Sequence, residues 1–259
     1  MLQFIFTKTE RYPGLEVEHN QFQRNVQTLI VNFKYRGFWR TILGVLAIIC
    51  AKVGLPVLEE YRFFKQNRRE SGLDTDGIVE LDELDIPDGM RSSASRYEAA
   101  SDFEFRHVLE KLHIDYPAYN FIDYGSGKGA IHAAAARYPF KSVSGVELSG
   151  EMHQIALRNI ETVKQQDRVR AASLTSVHGD ATSYALPPCP HVIYVFNAFG
   201  ADVLQAVLDG ISADLADVRE PIYFLYNNPM HHKLLDMNPD YTKLWNAFGG
   251  KWMVFAKMK

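Results

Sequence analysis

One ten-residue stretch restricts the fold of this chain more than any other: Phe121-Ile122-Asp123-Tyr124-Gly125-Ser126-Gly127-Lys128-Gly129-Ala130. A short apolar run carries an acid near its end. Glycines then stand at every second position, and Ile131-His132-Ala133-Ala134-Ala135-Ala136 continues as a helix-forming tract. The pattern predicts a strand, a tight turn and a helix. Glycine has no Cβ, so it accepts positive φ and lets the backbone approach a ligand closely. The helix behind the turn aims its free N–H groups at the same place. Gly125, Ser126, Gly127 and Gly129 are therefore candidate cofactor-binding residues.

Two cofactor classes fit this turn. Gly125, Gly127 and Ala130 match the dinucleotide pattern G-x-G-x-x-A. Gly125, Gly127 and Gly129 equally resemble the G-x-G-x-G turn of class I methyltransferases, and the glycines alone leave the choice open. A P-loop is excluded, because Lys128 lies between glycines and no Gly-Lys-Ser/Thr follows.

The segments downstream repeat the strand-then-helix alternation. Lys141–Glu147 reads as a second strand ending in an acid. Glu147 lies about half a βαβ unit beyond Asp123, where a carboxylate grips ribose hydroxyls. Ser149 caps a helix whose apolar face is Met152, Ile155, Ala156, Ile160 and Val163. Ser173–Val177 is a third strand leading to Gly179-Asp180-Ala181. His191–Phe196 is a buried-type strand, rich in β-branched and aromatic residues, and it ends in Asn197-Ala198-Phe199-Gly200. A helix through Val203, Leu204, Val207, Leu208 and Ile211 follows. Pro221–Tyr226 is a fifth strand ending in Asn227-Asn228-Pro229. Runs from Tyr241 to Trp245 and from Trp252 to Ala256 flank Gly249-Gly250 as a terminal hairpin.

This alternation predicts an α/β fold with a doubly wound, mainly parallel, seven-stranded sheet and an antiparallel C-terminal hairpin. Its ligands should lie at the carboxyl edge of the strands. Asp123, Glu147, Asp180, Asn197 and Asn227 each fall at an expected strand end. Ahead of the sheet, Ser101 and Glu104 form a capping box for a helix with Phe105, Val108, Leu109 and Leu112 on one stripe. The segment leading into it places Tyr97 where it can fold over the cofactor.

Residues 1–77 read as a helical N-terminal extension and linker, and residues 78–259 as the Rossmann-like domain. From Gln21, apolar Phe22, Val26, Leu29, Ile30 and Phe33 recur at helical spacing. Residues 38–53 are apolar on nearly every side and need cover on all faces. They are too short between Arg40 and Lys52 for the ~20 residues of a membrane span. Residues 21–56 are thus candidates for self-association or a peripheral membrane contact. The pair Asp74 and Asp76 before Gly77 is out of register for a calcium loop and reads as a turn.

Composition narrows the rest. A net charge of −3 in 259 residues gives no general pull toward nucleic acid, and 47% hydrophobic residues supply a sizeable core. The two cysteines, Cys50 and Cys189, make no disulfide framework. With no signal-peptide profile at Lys8, Glu10 and Arg11, the expected location is cytoplasmic. The nine histidines show no metal-ligand spacing, so no metal is expected.

Asp123–Gly129, Gly145-Val146-Glu147, Gly179-Asp180-Ala181 and the strand ending at Asn197 together resemble the class I S-adenosylmethionine (SAM) methyltransferases over about residues 95–259. Phe196–Gly200 and the Gly-Val-Glu strand look more narrowly like the Dot1-like branch, which includes lysine methyltransferases. The resemblance implies that Gly125, Gly127 and Gly129 cradle the methionine part of SAM and that Asp123 holds its ammonium. It implies Glu147 on the ribose hydroxyls, Asp180 on the adenine amine with Ala181 beside the ring, and Asn197 at the methyl-transfer site. Tyr226, Asn227 and Asn228 are expected to line an acceptor channel for a protein lysine or a small molecule. An NAD-dependent oxidoreductase would use the same turn and Glu147 but leave Gly179-Asp180-Ala181 without a role. A non-catalytic binding protein on the same fold is the third reading.

Overall fold

The computed structural model describes residues 72–258, together with residues 25–27, 30 and 34 ahead of them. The apolar segment 38–53 and most of the preceding amphipathic helix lie outside the described residues.

The described chain opens as a strap. A short strand β1 (Ile78–Val79), a one-turn helix α1 (Asp88–Arg91) and a strand β2 (Tyr97–Glu98) pairing back onto β1 run over the carboxyl edge of the main sheet. Helix α2 (Asp102–Glu110) follows. Then comes the alternation read from sequence: β3 (Asn120–Tyr124), α3 (Ala130–Ala135), β4 (Ser142–Glu147), α4 (Gly150–Gln165), β5 (Leu174–His178), β6 (His191–Phe196), α5 (Ala201–Asp214) and β7 (Ile222–Asn227). A one-turn helix α6 (Lys233–Asp236) leads to β8 (Tyr241–Ala247) and β9 (Trp252–Lys257).

The seven strands lie in the order β5-β4-β3-β6-β7-β9-β8. The first five are parallel, and β9 is antiparallel to both β7 and β8. β3, β4 and β5 build outward in one direction and β6 and β7 in the other. The switch point, where α/β sheets open a ligand crevice, therefore falls between β3 and β6. The hairpin is longer than its expected runs. Its last strand lies inside the sheet, which leaves β8 as the edge.

Both faces of the sheet are covered, which is why the central strands read as continuous apolar runs. On one face α2, α3 and α4 bury Phe105, Val108, Leu109, Ala135 and Val163 against Phe121, Val143 and Tyr194. On the other, α5 buries Leu204, Val207, Leu208 and Ile211 against Ile122, Ile193 and Phe224. Each such fully buried large side chain contributes about 1.5–3 kcal/mol. The Ser149 cap forms as expected, its hydroxyl accepting from the Met152 N–H at 3.2 Å.

The expected capping box at α2 is only half made. Ser101 Oγ accepts from the Glu104 N–H at 3.4 Å. The Glu104 carboxylate does not turn back to the Ser101 backbone; it accepts from Trp252 Nε1 at 2.9 Å and pairs with Lys251 at 2.8 Å. A buried indole donor and a cation are stronger partners than one backbone N–H. The linker expected up to residue 77 also packs on the domain, with Thr75 buried and Asp74 paired to Lys128.

Candidate cofactor site

A cavity of about 540 Å³ opens across the carboxyl ends of β3, β4, β5 and β6 and beneath the strap. Its floor includes Asp123, Gly125, Ser126, Gly127, Glu147, Asp180, Ala181 and Asn197, so most residues singled out in the sequence converge on one space. Strap residues between Leu84 and Ala100 form its outer wall.

All three glycines of the turn are left-handed, with φ of 75° at Gly125, 52° at Gly127 and 78° at Gly129. A Cβ on Gly125 would stand 2.4 Å from Ala198 Cβ, and one on Gly127 2.4 Å from the Tyr97 ring. These two positions keep the cradle open. Gly129 does not line the cavity. It caps α3, and a Cβ there would press on Ala156 Cβ and His132 Nδ1, both at 3.2 Å. Its absent side chain serves helix packing, in place of the expected cradle role. The Gly125 and Ser126 N–H groups both donate to the Val146 carbonyl, at 2.9 and 3.1 Å, which ties the turn to β4.

The acids differ in their surroundings. Asp123 is 2% exposed, and its Oδ1 has no hydrogen-bond partner among the described residues. Burial, reinforced by the nearby Glu147 charge, pushes its carboxyl well above the usual carboxylate range. Glu147 is also buried, and burial raises its carboxyl too, opposed by backbone N–H donors. One of its oxygens accepts from Gly127 N at 2.7 Å and the other from Ser149 N at 2.8 Å. Each keeps a lone pair for a hydroxyl. Asp180, half-buried, caps a turn by accepting from the Thr182 N–H at 2.9 Å and its hydroxyl at 2.7 Å.

Asn197 ends β6 in a left-handed conformation, φ 39°, and lines the cavity, as does Asn228, φ 50°, beyond β7. The other two expected channel residues do not. Tyr226 is 1% exposed, and its hydroxyl accepts from the His231 N–H at 3.4 Å. Asn227 is equally buried and donates to the Tyr194 hydroxyl at 3.2 Å. Neither side chain lines the cavity, because Tyr226 packs into the core on the α5 side and Asn227 sits behind Tyr194.

Sequence reasoning missed most of the strap. It is held by contacts between residues far apart in the chain. Lys128 Nζ reaches Asp74 at 3.0 Å and the Asp76 carbonyl at 3.1 Å. Asn159 receives the Asp74 N–H at 2.9 Å and donates to the Asp74 and Lys128 carbonyls, each at 2.8 Å. The Tyr97 hydroxyl donates to the Thr75 carbonyl at 2.7 Å, and its ring lies under Lys128 Nζ. Asp85 accepts from the Ser149 hydroxyl and, at 3.1 Å, from Glu151 N at the start of α4. Burial opposes its ionisation, but these hydrogen bonds prevail and hold its carboxyl low. Ser93 accepts from Gly200 N at 2.8 Å, and Ala94 bridges to Phe199. The recurring Leu81, Leu84 and Ile86 were the one available signal; Leu84 and Ile86 bury with Met152.

Among the described residues no cluster of His, Cys, Asp or Glu is placed to hold a metal ion. No helix among them is long and apolar enough to cross a membrane.

No protein-family model and no curated protein matches this chain. Solved structures with a similar course of chain include methyltransferases. The ribosomal protein L11 methylase of Lactobacillus delbrueckii subsp. bulgaricus has 16% identity, with 60% of this chain and 77% of that one covered and a TM-score of 0.44. TrmN from Thermus thermophilus has 18% identity, 61% and 49% coverage and a TM-score of 0.46. An RNA methyltransferase from Salinibacter ruber, solved with S-adenosyl-L-homocysteine, has 17% identity, 61% and 91% coverage and a TM-score of 0.44. Likeness at this level extends to the general fold, and neither Dot1-like proteins nor a particular acceptor stands out from it.

Proposed function

We propose that this protein is a SAM-dependent methyltransferase. The observation that carries the reading is the sheet order together with what stands at its edge. A dinucleotide-binding sheet in the order 3-2-1-4-5-6 has no reversed strand inserted beside its outermost one, whereas here β9 runs antiparallel between β7 and β8. At the carboxyl edge, Asp123 near the end of β3, Glu147 at the end of β4 and Asp180 just beyond β5 stand around a cradle that Cβ atoms on Gly125 and Gly127 would fill.

The residues fit the group. Asp123 offers an unpartnered, buried carboxylate oxygen to an ammonium. Glu147 faces the cavity beside the turn, suited to ribose hydroxyls, and Asp180 and Ala181 line the end beyond β5, suited to an adenine. SAM supplies an activated methyl on a sulfonium. The protein then has to orient donor and acceptor and exclude water.

The acceptor side is the part of the cavity over β6 and β7, where Met90, Ala94, Phe199 and Met230 surround Asn197 and Asn228. It is largely apolar, with the two amides and the small side chains of Ser93 and Ser95 as its polar groups. The amide oxygens can orient an acceptor N–H or O–H, and the apolar wall disfavours a protonated amine. Protein lysine and small-molecule acceptors both suit it, and the Dot1-like look of Phe196–Gly200 is the reason to try lysine.

A ligand that binds only the folded state raises the melting temperature with its concentration. The full chain should be stabilised by SAM and by S-adenosylhomocysteine and not by NAD. Stabilisation by NAD alone would replace this reading with an oxidoreductase.

A further inference from the structure

Asp123 and Tyr194 are cross-strand partners in the β3–β6 pairing, so their side chains leave the sheet on the same face. Both line the cavity, and both are nearly inaccessible otherwise. Asp123 presents an acceptor, Oδ1, that no group among the described residues fills. Tyr194 presents the opposite. Its hydroxyl oxygen is occupied by the Asn227 amide donor at 3.2 Å, and among the described residues its own proton has no recorded acceptor. A buried hydroxyl pinned from behind in this way directs its proton into the space ahead of it. Leaving such a donor and such an acceptor unmatched is costly.

A free carboxylate acceptor beside a free hydroxyl donor is complementary to a group carrying a cation and an anion on neighbouring atoms. The α-amino acid end of SAM is such a group. Resting on the cofactor reading above, we infer that Tyr194 is a positioning residue for the cofactor: its hydroxyl takes the α-carboxylate while Asp123 takes the α-ammonium. Asn227 stands behind the tyrosine and fixes the direction of its proton. This gives Asn227 a role that its distance from the acceptor channel had left open. Phenylalanine at position 194 would keep the packing against Phe105 and Trp252 and lose only the donor.

The test is calorimetric titration of the full chain and of Tyr194→Phe with three probes. These are S-adenosylhomocysteine, its decarboxylated analogue, and 5′-methylthioadenosine, which lacks the whole amino acid end. The expected result is that Tyr194→Phe weakens S-adenosylhomocysteine about tenfold, as one charge-assisted hydrogen bond would, and leaves the other two within about twofold. Asn227→Leu should show the same pattern more weakly, and it carries the comparison if Tyr194→Phe melts early. Equal weakening of all three probes would make Tyr194 merely structural. Weakening of the decarboxylated analogue as well would mean that the hydroxyl serves Asp123 and the ammonium, overturning the carboxylate assignment. Wild-type protein that binds none of the three would overturn the cofactor reading itself.

Discussion

The ring of Tyr97 lies so close over Gly127 that a Cβ on the glycine would stand 2.4 Å from Tyr97 Cε2. One residue of the strap and one residue of the turn thus share a space that admits only a hydrogen on the glycine. Gly127 also has φ 52°, where L side chains are strained by about 1–2 kcal/mol. Gly127→Ala should therefore lift Tyr97 off the turn and weaken S-adenosylhomocysteine by tenfold or more in a calorimetric titration. Unchanged affinity would show that the strap's position over the turn does not matter to the ligand.

The strap's other anchor is Lys128, whose side chain is 11% exposed against 60% for Asp74. The exposed partner screens the pair, so Lys128→Ala should cost about 1–2 kcal/mol in chemical denaturation. The more telling readout is local. A glutamate-specific protease should cut at Glu80 or Glu83 faster in the variant, because residues 74–76 lose their hold. Equal cleavage rates would assign the strap's order to its other contacts, those of Asn159, Tyr97, Asp85 and Ser93.

Asp123 is a cost to the folded state at neutral pH, because its carboxyl is buried without a cation among the described residues to meet it. Its carboxyl is raised in the folded protein, so the folded state binds that proton more tightly than the unfolded state does. The stability linked to it falls as pH rises from the ordinary carboxylate value near 3.8 through the raised one. Asp123→Asn should therefore melt higher than wild type at pH 7, with the gap closing toward pH 4, while losing S-adenosylhomocysteine affinity. A variant that melts lower than wild type at pH 7 would contradict the assignment of Asp123 as a strained, ligand-facing acid.

Beneath the turn, Gly145 of β4 faces His132 of α3 at a range that no side chain tolerates. A Cβ would stand 1.5 Å from His132 Nε2 and 2.7 Å from Ser126 Cβ. His132 is fully buried, and burial pulls its imidazole down to about 4, so it stays neutral. Gly145→Ala should cost at least the ~1–3 kcal/mol typical of overpacking. It should also move Ser126, seen as weaker ligand binding. A stable variant with unchanged affinity would mean that α3 can shift without disturbing the turn.

The order of strands and the acids at their ends were legible because each rests on local rules. Glycines at alternate positions can hardly continue a strand, Glu147 closes the Gly-Val-Glu run directly, and Asp180 comes just after Gly179 at the exit of the next strand. What was not legible depends on long-range packing. Tyr226 and Asn227 look like channel residues from a strand-end position alone, but β7 lies one strand beyond the β3–β6 crevice, so Tyr226 packs into the α5-side core and Asn227 sits behind Tyr194. Gly129 belongs to the same glycine series as Gly125 and Gly127, yet its free side points at Ala156, a contact set by how α3 meets α4. Glu104 fits a capping box by spacing and is drawn off by Trp252, which lies 148 positions away. The strap shows little periodicity because point contacts such as Asp74 to Lys128 and Asp85 to Ser149 hold it.

The most direct test of the cofactor site is a calorimetric titration of S-adenosylhomocysteine into the full chain and into Glu147→Ala. Wild type should bind at one site. The variant should bind at least tenfold more weakly while staying folded, because the carboxylate proposed to receive the ribose, which also braces Gly127, is gone. A folded wild type that takes up no ligand, or a variant that binds as tightly as wild type, would contradict the account.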